Sequence, residues 1–332
     1  MLAIEPLVTA IDCQIHWYPP SFLEWCLERS SFPRCKRDGE GFKYEIAPEV
    51  FFDFQGPMID LPELFERVGK AGIQTLVIST EPALDVTGWQ LDEAVEGARL
   101  LNEAKADAQN ENPDRFVGLA SLPMQDPAAA ITELDHAIEK LGLAGVCIPS
   151  NLHGSPITSP ELLDVYKRIE QLDVPLFLHP TRSIAAGELP DYGLEYAIGY
   201  MFDTSVAALN LIFSGTLDEC PELKVVHPHL GALLPYHAER IDIQYKLPWS
   251  HNEGFPGLPS EYIKRFYTDT VSNSPAALRM AVEFYGAEKI LFATDFPWWE
   301  PEPGVELVSS TLEEPERELV LSGNAKRLLK LA

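Results

Sequence analysis

Polar side chains that could hold a metal ion or move protons stand at the ends of four apolar runs. These ends read Asp12-Cys-Gln14-Ile-His16, Phe177-Leu-His179-Pro180, His227-Pro-His229 and Ala293-Thr-Asp295. Imidazole, amide and carboxylate groups together form a mixed nitrogen and oxygen ligand set that suits Zn²⁺ or Mn²⁺. A divalent metal held by such groups could polarise a carbonyl or activate a water molecule.

Each of these sites also has an ordinary structural interpretation when it is taken alone. Side chains two apart on a strand share a face, so Asp12, Gln14 and His16 face either a barrel mouth or a buried polar strand end. The other histidines could be structural hydrogen-bonding groups or helix caps. Asp295 could also cap a helix, although a buried carboxylate needs a partner of some kind. The four sites favour chemistry because they recur together, each at the end of an apolar run.

Eight short apolar runs are the candidate strands that carry these residues. They are 7–15, 73–80, 116–122, 145–149, 175–180, 224–229, 266–270 and 290–296. Amphipathic stretches with helical spacing separate them, among them 91–109, 127–141 and 160–172. Strands that alternate with helices eight times predict an α/β protein with a (β/α)8 TIM barrel. The carboxyl ends of the strands then meet at one mouth, where the polar residues would converge.

The organisation of the chain fits one barrel domain over residues 1–332 with loop insertions. A dinucleotide-binding fold would need a glycine fingerprint after the first strand, and none follows it. Two stretches, near 30–60 and 248–260, are aromatic and irregular. We expect both to be insertions over the active-site mouth.

Composition excludes several function classes. The net charge of −26 disfavours binding to nucleic acid or to an anionic membrane surface. No run approaches the roughly 20 apolar residues of a membrane span, and the amino terminus has no signal-peptide pattern. The 5 cysteines form no CxxC pair, which favours reduced thiols and a cytoplasmic location.

The order of these motifs over nearly the whole chain resembles the amidohydrolase-related decarboxylases typified by aminocarboxymuconate-semialdehyde decarboxylase. Asp12-Cys-Gln14-Ile-His16 resembles the Asp-x-His-x-His opening of that family. The remaining matches are Gly145-Val-Cys-Ile-Pro-Ser-Asn151, Pro175-Leu-Phe-Leu-His179-Pro, the region around His229, Leu291-Phe-Ala-Thr-Asp295-Phe-Pro and Gly323-Asn-Ala-Lys-Arg-Leu-Leu.

The resemblance implies roles for individual residues. It places one divalent metal, Zn²⁺ as first choice and Mn²⁺ as second, on His16, His179 and Asp295. It makes His229 a catalytic acid or base beside Asp295. It also implies a homodimer, since relatives often complete the pocket across a dimer.

The chain departs from the family pattern at two places. Gln14 stands where the first metal-binding histidine is expected, and its amide oxygen is a weaker ligand than imidazole. The sequence around His229 reads His-Leu-Gly-Ala instead of His-Gly-Gly-Gly, so Leu230 and Ala232 would narrow the approach of a ligand to the backbone.

These expectations lead to a metal-dependent, non-oxidative decarboxylase of a small aromatic or unsaturated carboxylic acid. Candidates for binding the substrate are Arg182 and Arg240, for its carboxylate, and an aromatic wall made by Trp17, Phe51, Phe52, Trp298 and Trp299. One alternative is a hydrolase or hydratase that uses the same site to attack a lactone, an amide or a double bond. Another is a barrel that has lost its metal and serves as a binding or scaffold protein.

Overall fold

The computed structural model describes residues 9–81, 83–250 and 257–331 of the chain. Its strands are β1 (Ala10–His16), β2 (Arg34–Asp38), β3 (Gly41–Ala47), β4 (Val50–Phe54), β5 (Ile73–Ser79), β6 (Phe116–Ala120), β7 (Gly145–Pro149), β8 (Leu176–His179), β9 (Val225–His227), β10 (Tyr267–Asp269) and β11 (Ile290–Leu291). Its α-helices are α1 (Pro20–Cys26), α2 (Leu61–Gly69), α3 (Leu91–Glu111), α4 (Pro127–Asp135), α5 (Leu163–Gln171), α6 (Tyr200–Phe213), α7 (Thr216–Glu219), α8 (Pro228–Gly231), α9 (Leu234–Tyr245), α10 (Pro259–Ile263), α11 (Pro275–Tyr285), α12 (Pro301–Thr311), α13 (Glu316–Glu318) and α14 (Asn324–Leu329).

A parallel sheet forms the centre of the described residues, in the order β1-β5-β6-β7-β8-β9-β10-β11. Backbone hydrogen bonds join its two edges: Cys13 N donates to Phe292 O at 2.8 Å, and His16 N donates to Phe296 O at 3.0 Å. The sheet therefore closes into a barrel with helices around it. The predicted (β/α)8 fold is confirmed, and each of the eight apolar runs contains one barrel strand.

The first strand does not keep a simple alternation. Its pairing with β5 is irregular between Asp12 and Ile15. Cys13 packs in the apolar cluster inside the barrel, whereas Ile15 packs in the cluster between the barrel and its helices. A bulge of this kind re-aims the side chains that follow it. Gln14 and His16 consequently face the mouth, while Asp12 is bonded within the barrel wall.

The segment near 30–60 contains the antiparallel sheet β2-β3-β4. Phe54 of this sheet stacks on Tyr18, with ring centroids 4.1 Å apart, and Tyr18 lies two residues after the end of β1. Phe52 approaches Trp298, which follows β11, at 5.8 Å. The small sheet therefore lies over the mouth. Of the second stretch, 248–260, residues 251–256 lie outside the described residues.

One helical segment, Glu195–Phe213, is long and apolar enough to cross a membrane by length and composition alone. Its buried residues include Asp203, which accepts a hydrogen bond from Asn151 Nδ2 at 2.8 Å. One face of this segment packs on the barrel, and residues such as Phe202 on the other face are exposed. Packing within the protein therefore accounts for much of its apolar character.

Candidate active site

Three predicted metal ligands meet at the carboxyl ends of the barrel strands. One ligand atom from each of His16, His179 and Asp295 lies within 4.8 Å of the other two. His16 Nε2 is 2.9 Å and His179 Nε2 is 3.9 Å from Asp295 Oδ1. Strands β1, β8 and the segment after β11 bring them together because parallel strands of a barrel end at one mouth.

Both histidines are oriented by groups behind them. Nδ1 of His179 lies 2.8 Å from the carbonyl oxygen of Pro180, which can only accept, so Nδ1 carries the proton. The Nε2 lone pair of His179 then faces the other ligands, and in this structure that buried atom has no hydrogen-bond partner. Nδ1 of His16 lies 3.1 Å from Ser79 Oγ. Such partners fix the tautomer and ring orientation of metal-binding histidines.

Asp295 is held by an unusual backbone. Its φ of 61° is left-handed, a conformation that aspartate tolerates better than most residues, and its N–H donates to Gln14 O at 2.8 Å. Burial acts to raise the pKa of the Asp295 carboxyl, but the contact with His16 Nε2 and the proximity of His179 outweigh it and hold that pKa below its usual range. Burial in turn lowers the pKa of His16. A deprotonated carboxylate and an imidazole lone pair are the forms of these groups that bind a divalent cation.

Gln14 lies beside the same group. Its Nε2 donates to Asp295 Oδ1 at 3.3 Å and lies 3.4 Å from Nε2 of His229. The amide oxygen and nitrogen exchange places when the side chain turns about its last bond, so the oxygen can face an ion held by Asp295. A lone pair without a partner on His179, an anionic carboxylate and an adjacent amide together fit a divalent metal.

His229 lines the cavity in front of the three ligands, whereas His227 is fully buried in the barrel wall against Phe266. Burial lowers the pKa of His229 to about 4, and the neighbouring His179 and His16 act in the same direction. The imidazole is therefore neutral at neutral pH, and it is a weaker base than the imidazole of an exposed histidine.

Two buried carboxylates brace the site from within the barrel. Asp12 accepts hydrogen bonds from the backbone N–H and the hydroxyl of Thr294, the residue before Asp295. Asp269 accepts from the N–H groups of His229 at 2.8 Å and Val271 at 3.0 Å. Burial raises the pKa of both carboxyls to about 7. Asp269 was not predicted, although its place at the end of the apolar run 266–270 was a usable signal.

A cavity of about 820 Å³ opens in front of the ligands. Its walls come from strand ends, from α11, from β4, and from the start of α6 and the segment before it. The lining residues are Phe52, His179, Pro180, Tyr196, Ala197, Tyr200, Met201, His229, Leu230, Ala232, Val271, Ser272, Asn273, Ala277, Met280, Asp295, Trp298 and Trp299. The walls are mainly apolar and aromatic, as expected for a pocket that takes a small organic ligand.

Part of the predicted aromatic wall is present. Trp298, Trp299 and Phe52 line the cavity, but Trp17 does not. Trp17 is buried, donates Nε1–H to Ile59 O at 3.1 Å and packs edge-on against Phe116. It follows His16 directly, so it points to the opposite face of the strand. The prediction that Trp17 contacts substrate is therefore wrong for this structure.

The two predicted arginines do not reach the cavity within one chain. Arg182 is exposed, and Arg240 lies in a separate groove between α6 and α9. Neither arginine nor lysine occurs among the described residues that line the cavity. Tyr196 and Tyr200, which are four residues apart and form one side of the pocket, were not predicted. Their helical spacing was visible, but nothing in the sequence placed that helix at the mouth.

Comparison with known protein families gives a match to this chain. The family model described as amidohydrolase matches residues 11–331. The chain belongs to the amidohydrolase family. This match spans all four strand ends that carry the predicted ligands and His229.

Several proteins to which the chain is similar are decarboxylases. The chain is 32% identical to 2-amino-3-carboxymuconate-6-semialdehyde decarboxylase from Dictyostelium discoideum, over 87% of this chain and 82% of the relative. It is 29% identical to gamma-resorcylate decarboxylase from a Rhizobium species, over 92% and 97%. A crystal structure of dihydroxybenzoic acid decarboxylase from a Polaromonas species, with bound manganese and the inhibitor 2-nitroresorcinol, superposes with a TM-score of 0.82 at 26% identity and covers 97% of both chains.

Proposed function

We propose that this protein is a metal-dependent, non-oxidative decarboxylase of a small aromatic carboxylic acid. The observation that carries the proposal is the convergence of His16, His179 and Asp295 at the floor of an apolar, aromatic-walled cavity. Amidohydrolase membership and the similarity to several decarboxylases of aromatic acids support the same reaction.

The ligand atoms would hold one divalent cation, with Gln14 as a fourth candidate. When bound, the ion would hold the substrate carboxylate and a neighbouring oxygen, and stabilise negative charge as CO₂ leaves. Manganese is present in the Polaromonas structure. Zn²⁺, our first choice from the sequence, stays a prediction that elemental analysis of the purified protein can decide.

Loss of CO₂ leaves an electron pair on the ring carbon, and that carbon must take up a proton. His229 and Asp295 are the proposed carriers of this proton because both line the cavity at the ligand cluster. With its lowered pKa, the imidazole of His229 is neutral at neutral pH, so it must take up a proton before it can act as an acid toward carbon. We therefore propose that His229 first accepts a proton from a substrate hydroxyl or from solvent and then delivers it to carbon.

Incubation of the purified enzyme with ortho-hydroxybenzoates tests the reaction. We expect CO₂ and the corresponding phenol, loss of both after complete chelation of metal, and recovery when Mn²⁺ or Zn²⁺ is added. CO₂ release that persists in verified metal-free enzyme would refute the metal dependence. Incorporation of oxygen-18 from water without CO₂ would instead favour the hydrolase or hydratase. Failure of the protein to bind either metal would favour a scaffold protein.

We also propose a homodimer that forms through the groove between α6 and α9. This groove has a volume of about 660 Å³, and its apolar lining includes Phe202, Leu209 and Ile241. A second copy of the chain would cover these side chains, and it would place Arg240 at the subunit interface. Arg240 could then approach the substrate in the partner subunit. In this way it would still contact the substrate carboxylate, as predicted from the sequence.

Sedimentation analysis of a matched pair of variants tests the dimer. Phe202→Glu puts a charge into the groove and should give monomers, whereas Phe51→Glu, on the exposed face of the small sheet, should leave a dimer. A monomeric unsubstituted protein would refute the proposal.

For location, we propose the cytoplasm, a proposal supported by five buried and unpaired cysteines.

A further inference from the structure

The turn after β9 contains a run of left-handed backbone. His229 has φ 61° and ψ 51°, and Leu230 has φ 54° and ψ 30°. Gly231 has φ 77°, and Ala232 has φ 49° with ψ −113°. Residues with a Cβ rarely adopt these angles, and the angles of Ala232 lie outside even the small left-handed helical region. Glycine would adopt all four conformations with less strain.

The one glycine in this turn occurs where space requires it. A Cβ on Gly231 would lie 2.2 Å from the hydroxyl oxygen of Tyr285. Leu230 and Ala232 have no such restriction, and both line the cavity. Strained residues that persist in a structure cluster at functional sites, where the rest of the fold holds them in place. Glycine would suit the backbone better at positions 230 and 232, so the presence of side chains there suggests that the side chains have a function.

The surroundings indicate what these side chains do. Val271 after β10, and Ala277 and Met280 three residues apart on α11, also line the cavity. Helix α11 packs against α8, so these residues and the turn form one wall. A ring hydroxyl pointed at this wall would lose its hydrogen bonds to water and gain none, whereas a methyl group would be buried favourably. Ser272 and Asn273, which follow Val271, are the neighbouring polar residues of the lining.

We propose that Leu230 and Ala232 are specificity-determining residues, forming an apolar wall that selects aromatic monocarboxylic acids with an apolar ring substituent on that side. The inference rests on the proposed decarboxylase function. It implies that the enzyme prefers 2-hydroxy-6-methylbenzoate to 2,6-dihydroxybenzoate. The preference would depend on the side chains of two residues whose backbone angles are strained for any residue with a Cβ.

Replacement of Ala232 tests both the backbone strain at this position and the effect of its side chain on substrate preference. Ala232→Gly should relieve backbone strain and raise the melting temperature by roughly 2 °C. It should also reduce the preference for the methyl acid, measured as the ratio of kcat/KM values, by roughly tenfold. The matched control is Glu49→Gly, at an exposed left-handed position with φ 64° in the turn between β3 and β4. The control should raise the melting temperature and leave the preference unchanged.

A second variant keeps the test independent of how well the glycine variant folds. Val271→Thr retains the shape of the side chain and adds a hydroxyl to the wall, so it should shift the preference toward the dihydroxy acid. Dissociation constants for both acids are measured in parallel with CO₂ release. An unsubstituted enzyme that prefers the dihydroxy acid, or preferences unchanged in both wall variants, would overturn the inference. Selective binding of the methyl acid without CO₂ release would instead refute the decarboxylase function and leave the wall intact.

Discussion

Asp269 gives a prediction about stability that can be worked out from the structure. Its carboxyl is buried, accepts the N–H groups of His229 and Val271 through Oδ1, and has no partner for Oδ2. Burial raises its pKa from 3.8 to about 7. The folded protein thus binds this proton more tightly than the unfolded chain does. The stabilisation is complete below pH 3.8 and is lost as the pH rises through about 7.

The magnitude follows from the two pKa values. A pKa shift of this size corresponds to a total contribution of about 4 kcal/mol to the free energy of unfolding. About 2.5 kcal/mol of that contribution is lost between pH 5 and pH 8. Asp269→Asn keeps an oxygen acceptor for both N–H groups and removes the ionisable group. From pH 5 to pH 8, the free energy of unfolding should therefore fall by about 2 kcal/mol less in the variant than in the unsubstituted protein.

Urea unfolding at pH 5 and pH 8 measures this difference, with chelator present at both values so that metal binding does not change. Asp12 carries a shift in the same direction, but it is present in both proteins and cancels in the comparison. The control is Asp114→Asn, which removes one negative charge from an exposed position. If Asp269→Asn loses as much stability from pH 5 to pH 8 as the control does, burial of this carboxyl does not govern the pH dependence.

Further predictions concern the ligands and the turn. His179→Ala should reduce bound metal to background in elemental analysis, and a normal metal content would contradict the ligand assignment. Gln14→Glu adds a carboxylate and should tighten Mn²⁺ binding by roughly tenfold in a chelator competition, while unchanged affinity would show that position 14 does not contact the ion. Gly231→Ala should lower the unfolding free energy by about 2 kcal/mol or more. Tyr285→Phe removes the hydroxyl closest to the new Cβ and should recover part of that loss, which thermal unfolding can measure.

The strand pattern and most of the ligand cluster were predictable from the sequence. Buried parallel strands must be apolar along their length, so polar residues at their carboxyl ends stand out. The family model bears out the resemblance that assigned metal ligands to those ends. Trp17 directly follows His16, and neighbouring residues of an extended chain point to opposite faces, so the sequence also indicated that Trp17 points away from the mouth.

Other features depend on contacts between distant segments. The bulge in β1 sends Gln14 to the mouth, and the turn held by Asp269 places His229, rather than His227, in the cavity. Arg240 lies in a different groove from the one predicted for it. These outcomes are set by packing and hydrogen bonds across the barrel, which local patterns do not encode. The sequence determined which residues could perform the chemistry, and the tertiary structure decided which of them share one cavity.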